Sequence, residues 1–146
     1  MVNKNPKVPH HPIMPAAASA TLTQYCPDLE QWPARWQVYD HDIAVGQRVV
    51  AFFKPFLLHL LSEKLATKTL HRHRDHLWML GSELIRKRHE DTTFNQMPVE
   101  QAIAEMIEEE GGPLIWPSIT ESQQNAFDAT CRKLYKFFNS HANPVR

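Results

Sequence analysis

The residues best suited to chemistry lie in one stretch, LATKTLHRHRDHLWMLGSELIRKRHED, which covers residues 65–91. His73 and His76 are three residues apart, and His71 is four residues from Asp75, which are spacings at which one helix face can present two metal ligands. A helical wheel, however, points His73 inward and His76 outward, and the sequence places no third ligand. We therefore expect no metal site and no cofactor, and we expect His73 to be a hydrogen-bonded core residue.

The sequence offers no nucleophile that is suited to covalent catalysis. Cys131 falls on an apolar helical stripe, where a thiol is inert, and neither it nor Cys26 belongs to a CxxC motif. A glycine-rich elbow and a phosphate-binding loop are also lacking. The chain is therefore predicted not to be an enzyme and to bind no small-molecule substrate. Two free thiols, and no apolar run of about 18 residues, indicate a cytoplasmic protein without a membrane partner.

The outward face of the same stretch carries cations. On the helical wheel Lys68, Arg72, His76 and Arg86 project from one side, with Thr69 near the helix start. Cations and hydroxyl groups near a helix N-terminus bind phosphates, through ion pairs and through free backbone N–H groups. The last helix adds a second polar group that is also expected outside: Ser122, Asn125, Arg132, Lys133 and Lys136. A solvated helix face that binds nothing is the alternative interpretation.

The charges are segregated along the chain although their formal sum is zero. Residues 64–88 contain seven Lys or Arg against two acids, whereas residues 97–128 contain seven acids and no Lys or Arg. The electric field of the protein therefore has a direction, even though its net charge gives no reason to expect nucleic acid.

The length of 146 residues fits one compact domain with a tail. Residues 1–27 are rich in proline and small residues, and we expect a disordered arm because they bury little apolar surface. Residues 28–45 contain Trp32 and Trp36, and we expect an irregular segment that packs on the domain. A partner-binding motif is the alternative for this aromatic segment. Residues 46–146 form the predicted domain.

Four segments of this domain have the three-and-four spacing of apolar residues that is typical of amphipathic helices. The first is GQRVVAFFKPFLLHLLSEK, in which Pro55 is expected to produce a kink. The second begins with Thr67 as its N-cap and ends at about His89, and the third begins at Pro98. The fourth begins at Thr120 with TESQ, the spacing of a capping box. The sequence therefore predicts an all-α fold that is built as a four-helix bundle.

The helical wheels also predict which side chains are buried. On the second helix the inward residues are Leu70, His73, Leu77, Leu80, Gly81 and Leu84. On the fourth helix they are Phe127, Thr130, Cys131, Leu134, Phe137 and Phe138.

Several of these motifs resemble the N-terminal core-binding domain of tyrosine recombinases, the phage-integrase-type enzymes. The run LATKTLHRHRDHL resembles its signature, VEQAIAEMIEEEGGP its third helix and Gly-rich exit, and SITESQQNAFDATCRKLYKFF its last helix. The final NPVR stands where the family's linker to the catalytic domain begins. The signature positions are filled here by Leu65, Ala66, Thr69, Leu70, His73, Arg74 and Leu77.

The resemblance implies a SAM-like helical module that clamps one side of duplex DNA with its second and fourth helices. Double-stranded DNA would be the partner, a full-length recombinase could be a second one, and the acidic third helix would face away from the DNA. The catalytic domain of that family has no counterpart in this sequence, so the resemblance implies DNA recombination or integration without catalysis. The alternative function is a helical protein–protein adaptor that uses the segment of Trp32 and Trp36 and the acidic third helix.

Overall fold

The structure is a computed structural model, and it describes residues 16–115 and 118–141. Its elements are α1 (Ala16–Tyr25), a 3-10 turn (Leu29–Gln31), α2 (Trp32–Trp36), α3 (Asp42–Ser62), α4 (Thr67–Glu90), α5 (Thr92–Asn95), α6 (Val99–Met106) and α7 (Glu121–His141). The described residues contain no strand, only an isolated bridge between Glu108 and Gly111. The predicted all-α class is therefore confirmed. The four predicted helices correspond to α3, α4, α6 and α7, and the others are additional.

Helix α3 is the central element of the core, because it packs against α1, α2, α4 and α6. Its length and apolar composition alone would allow it to cross a membrane. In the protein, Phe53, Phe56, Leu57 and Leu60 are fully buried, whereas Phe52, Leu58 and Leu61 are half-buried. Pro55 does not interrupt the helix. Both Pro55 and Ala51, whose carbonyl loses its usual partner, are exposed, so water can bind that carbonyl. The most deeply buried residues of α3 are Val49, Phe53, Phe56, Leu57 and Leu60.

Helix α4 follows α3 after a short turn in which Lys64 adopts a left-handed conformation with φ of 58°. The N-cap of α4 is Ala66 rather than the predicted Thr67, and no side chain caps this end of the helix. The predicted inward stripe is confirmed except at Leu70, which is only half-buried. The stripe is also wider than predicted, because His76 belongs to it. The buried residues of α4 are His73, His76, Leu77, Leu80, Gly81, Leu84 and Ile85.

Helix α7 begins with the predicted capping box. The Thr120 hydroxyl oxygen accepts the N–H of Gln123 at 3.0 Å, and the Gln123 side-chain oxygen accepts the N–H of Thr120 at 2.9 Å. The predicted stripe is buried up to Leu134. Phe137 and Phe138 are half-buried and pack against aromatic rings of α3.

Part of the predicted disordered arm, residues 16–25, forms α1. Residues 1–15 lie outside the described residues, as does the predicted linker at 143–146. Leu22, Tyr25 and Cys26 are buried at the end of α1. The Tyr25 hydroxyl donates to the carbonyl of Leu70, and Arg74 donates to the carbonyl of Tyr25 at 3.0 Å. The average composition of the arm did not reveal these few apolar residues. Their burial offsets the loss of conformational entropy when the chain becomes ordered.

The aromatic segment is not irregular, because it forms the 3-10 turn and α2. Trp32 is 2% exposed and Trp36 is 5% exposed, so neither ring is available to a partner. The Trp36 ring lies against Gly81 of α4, and its Nε1 donates to the carbonyl of Trp78 at 3.2 Å. A Cβ atom on Gly81 would lie 2.3 Å from a ring carbon of Trp36, so only glycine allows this approach.

Two core truncations test the buried faces of α4 and α7. Leu77 is 1% exposed and Phe127 is 0% exposed, so Leu77→Ala and Phe127→Ala should each lower the free energy of unfolding by about 2–5 kcal/mol. The measurement is urea unfolding followed by circular dichroism. Leu114→Ala is the control, because Leu114 is 70% exposed and its loss should change stability by no more than about 0.5 kcal/mol. Unchanged stability in both core variants would contradict the described packing.

Gly81→Ala tests the contact with Trp36. In an exposed helix, replacing glycine by alanine gains about 1 kcal/mol. Here the added methyl group must displace the Trp36 ring, so we expect the opposite sign, a loss of about 1–3 kcal/mol. Ser82→Ala, at the next and half-buried position, removes an oxygen atom and adds no group that could displace the Trp36 ring, so it should be nearly neutral. Thermal unfolding of the two variants decides, and a stabilised Gly81→Ala variant would exclude the tight approach of Trp36.

Candidate nucleic-acid interface

Helix α4 presents two cations without an acidic partner among the described residues. Lys68 and Arg72 are both exposed, and their separation of four residues puts them on one face of the first turns of α4. Thr69, which the sequence analysis placed beside them, is half-buried. The N-terminus of the helix lies next to Lys68, and its first N–H groups have no side-chain cap. This end of α4 therefore combines positive side chains with unoccupied backbone donors.

Helix α7 brings two further cations to this side of the protein. The Lys133 ammonium group lies 3.0 Å from the Glu63 carboxylate, which also lies 3.0 Å from Nε2 of His59. The hydrogen bond from Lys133 lowers the pKa of Glu63, so the pair is ionised at neutral pH. This ion pair ties α7 to the turn that precedes α4. Lys136, three residues after Lys133, is exposed.

We call the group of Lys64, Lys68, Arg72, Lys133 and Lys136 the basic face. Arg72 and Lys133 both lie close enough to His73 to lower its pKa, which shows that the α4 and α7 members are neighbours. Lys64 was not predicted as a site residue. It lies in the turn before α4, so the interval of four residues that puts Lys68 and Arg72 on one helix face does not apply to it.

The structure separates the other predicted α7 residues from the α4 cations. Ser122 and Asn125 are exposed, but they lie at the start of α7, which is held at residues 113–115 by the side chain of Gln124. Ser122 is 14 residues from Lys136, or about 21 Å along the helix.

Arg132 is drawn away from the basic face. It is exposed, but its guanidinium group donates to the carbonyl of Glu110 at 3.1 Å. Glu110 ends a run of three exposed glutamates, so the end of the acidic region lies beside α7. The expectation that the acidic third helix faces away therefore does not extend to the turn that follows it.

Arg86 is neutralised by its own helix. Its guanidinium group pairs with Glu83 and, at 2.7 Å, with Glu90. These hydrogen bonds raise the already high pKa of Arg86. Although Arg86 projects outward as predicted, it is therefore not an uncompensated cation like Lys68 and Arg72.

His76 does not face outward as predicted. It is buried, its Nδ1 atom lies 2.7 Å from the Thr130 hydroxyl oxygen, and its ring meets the Phe127 ring edge to face at 5.7 Å. The prediction failed because a helical wheel assumes a single inward direction. The side of α4 that the wheel assigns to solvent is covered by α7. His76 cannot contact a phosphate from this position, and we remove it from the candidate interface.

The inward position predicted for His73 is confirmed, and this residue shares the hydroxyl group with His76. The Nδ1 atom of His73 also lies 2.7 Å from the Thr130 oxygen. Burial, followed by Lys133, His76 and Arg72, lowers the pKa of His73 to about 4, and burial also lowers the pKa of His76. Both imidazoles are therefore neutral at pH 7, and they add no charge to the basic face.

A second polar cluster surrounds the buried carboxylate of Asp42. This group accepts the N–H groups of Val38 and Tyr39 at 2.8 and 2.9 Å, and Nε2 of His89 at 3.0 Å. Burial raises the pKa of Asp42, but the two backbone hydrogen bonds and His89 outweigh it and lower the pKa overall. Because His89 is at the end of α4, the cluster braces the start of α3 against it. His41 lies near the other oxygen of Asp42, at 3.7 Å.

No described group of three or more His, Cys, Asp or Glu side chains is arranged to hold a metal ion. The two described cysteines are free and buried, and burial raises the pKa of both thiols. The arrangement that remains for binding is the basic face.

Comparison of the chain with protein-family models, with curated proteins and with solved structures gives no match.

Asp42→Ala tests the brace between α3 and α4. The change leaves two backbone N–H groups and His89 without their acceptor, so we expect a loss of about 2–4 kcal/mol in unfolding free energy. Because the pKa of Asp42 lies below that of an unfolded aspartate, this contribution is present above about pH 4 and disappears as the pH falls through the folded-state pKa. Asp40→Ala, at an exposed position, is the control for urea unfolding at pH 7. Equal stability of the two variants would exclude the brace.

Proposed function

We propose that this chain is a non-catalytic, cytoplasmic module that binds double-stranded DNA through the basic face. The observation that carries the proposal is the pair Lys68 and Arg72, exposed at the start of α4 without an acidic partner among the described residues. Elsewhere on α4 and α7 the chain pairs its cations internally, as at Arg86 and Arg132. Cations that no internal partner neutralises are available to an external anion.

The start of α4 suits a phosphate group in particular. Its N-cap is Ala66, so no side chain occupies the first N–H groups of the helix. The helix dipole and these donors favour an anion. Lys68 is the second residue of α4, so it lies beside the same N–H groups. Lys136 extends the positive surface onto α7, whereas Lys133 beside it is paired with Glu63.

The resemblance to the core-binding domain of tyrosine recombinases favours duplex DNA over other polyanions. It assigns DNA contact to the second and fourth predicted helices, which are α4 and α7, the two helices that carry most of the basic face. On this proposal the domain has a SAM-like arrangement and takes part in recombination or integration of a mobile element, with a full-length recombinase as a second partner.

A helical protein–protein adaptor is the alternative, and one observation favours it. Val38 and Tyr39 are 65% and 57% exposed, which is unusual for large apolar side chains next to each other. The buried Trp32 and Trp36 cannot serve such a partner, so Val38, Tyr39 and the acidic surface of α6 would have to form the contact.

A gel-shift titration of duplex DNA at several salt concentrations separates the two functions. If the basic face neutralises phosphates, affinity falls as salt rises, with a slope of about −2 to −5 in a plot of log affinity against log salt. An adaptor produces no shift at moderate salt. Absence of a salt-dependent shift would contradict the proposed function.

Single substitutions on α4 assign the contact to residues. Lys68→Ala and Arg72→Ala should each weaken DNA binding and make the salt slope shallower by about one unit, because each removes one phosphate contact. Their stability should change by no more than about 0.5 kcal/mol, because both side chains are exposed.

Two control variants separate a local contact from a change in net charge. Arg86→Ala alters the net charge by the same amount, but Arg86 is already paired and lies 14 residues beyond Arg72, about 21 Å along α4. Glu108→Ala removes an exposed acid from the acidic region. Neither control should lower the affinity or the salt slope. If Lys68→Ala and Arg72→Ala bind DNA as well as these controls, the assignment of the DNA contact to α4 is wrong.

A further inference from the structure

Two imidazole rings of α4 converge on a single hydroxyl group of α7. The Nδ1 atoms of His73 and His76 each lie 2.7 Å from Oγ1 of Thr130. All three residues are buried, and the Thr130 side chain is 1% exposed. Phe127 closes the cluster beside His76. The cluster is therefore a polar contact within the otherwise apolar packing of α4 against α7.

The geometry of this cluster can be satisfied when both imidazoles are neutral. A hydroxyl group can donate one hydrogen bond, and it can accept two. When both imidazoles are neutral, one Nδ1–H group donates to the Thr130 oxygen and the other, bare Nδ1 atom accepts the Thr130 hydroxyl hydrogen. One additional proton on that bare Nδ1 atom changes this pattern, because the Nδ1 atom becomes a second donor and the Thr130 hydroxyl hydrogen loses its acceptor.

The surroundings do not favour an additional positive charge. The charged groups that face the cluster are Arg72 and Asp75 from α4, Lys133 from α7 and Glu63 from the turn before α4. Glu63 is paired with Lys133, and Asp75 accepts a hydrogen bond from Arg74. Both acids are thus already engaged, and the nearest cations repel an imidazolium.

We propose that His73, Thr130 and His76 form an acid-sensitive joint, in which protonation of an imidazole loosens α7 from α4. The Lys133–Glu63 ion pair survives mild acid, because the pKa of Glu63 is lowered, and it retains the later turns of α7 at the start of α4. The opening is therefore centred on the turns of α7 around Thr130. Its consequence for binding rests on the proposed function, because the joint sets the spacing between the α4 and α7 parts of the basic face.

The pH range of the opening follows from linkage. The pKa of His73 is about 4 in the closed state, against 6.5 for a solvated histidine, so the open state takes up more protons between these values. The closed state is therefore favoured most above about pH 6.5, and it loses this advantage as the pH falls toward 4. From pH 7 to 4.5 the proton uptake of His73 alone should multiply the open fraction by about tenfold to a hundredfold.

Cys131 reports the opening, because it is 1% exposed, follows Thr130 directly and packs against Gly112, so its thiol becomes accessible when this part of α7 moves. The full chain, without nucleic acid, is labelled with 4,4′-dithiodipyridine, which reacts with thiols in acid, at pH 7 and at pH 4.5. Labelled peptides are quantified by mass spectrometry, and each rate is divided by the rate of the urea-unfolded protein at the same pH. The normalised rate of Cys131 should rise by about tenfold to a hundredfold in acid.

Cys26 is the internal reference, because it is buried at the end of α1 and does not belong to the joint. Its normalised rate should rise much less than that of Cys131. Equal rises at both thiols would mean global unfolding and would overturn the proposal. So would a Cys131 rate that acid leaves unchanged.

The variants assign the response to the two imidazoles. The double variant His73→Asn and His76→Asn places amides, which do not titrate, near the former Nδ1 positions, and the acid response of Cys131 should disappear. His71→Asn, at an exposed position on the same helix, should keep the full response. A response that persists in the double variant, once circular dichroism at pH 7 shows that it is folded, overturns the proposal. If the double variant does not fold, the comparison of Cys131 with Cys26 in the unmodified protein decides. Because no DNA is present, failure of this test leaves the proposed function unaffected, and failure of DNA binding leaves the joint unaffected.

Discussion

The packing of α4 against both α3 and α7 is the constraint on which the other features depend. Because both α3 and α7 pack on α4, its buried face is wide enough to include His73 and His76 as well as its leucines. Polar groups in that face must find partners inside the protein, and Thr130 provides one for both rings. The charged residues of α4 are confined to the remaining face, where Lys68 and Arg72 meet the solvent. One packing arrangement thus creates both the joint and the candidate interface.

The parts of the fold that depend on local spacing could be predicted from the sequence. The apolar periodicity located α3, α4, α6 and α7. The four-residue motif TESQ predicted the reciprocal hydrogen bonds of Thr120 and Gln123. What could not be predicted depends on neighbours distant in the chain. A helical wheel assigns one inward direction to each helix. Because it contains no information about the second neighbour, α7, it places His76 in water. The ordering of α1 likewise depends on contacts with Leu70 and Arg74, about 45 residues away.

The candidate site divides in the same way. Intervals of four residues put Lys68 and Arg72 on one face, and the acids that neutralise Arg86 stand three and four residues from it, so both facts can be read from the sequence. The hydrogen bond of Arg132 cannot be predicted from local spacing, because its acceptor is a backbone carbonyl in a turn 22 residues away. Side chains that reach across the fold are therefore where prediction of a charged surface fails.

The burial of both histidines changes how acid can act on this protein. An imidazole that faces a phosphate would gain a proton in acid and strengthen binding, because the anion stabilises the imidazolium. His76 is instead held neutral beside Thr130, and burial disfavours its charged form. Protonation of this ring therefore opposes the packing of α4 on α7 rather than adding a contact to DNA. Near neutral pH neither buried imidazole carries a charge, so protonation of His73 or His76 can affect the basic face only through the packing of α4 on α7.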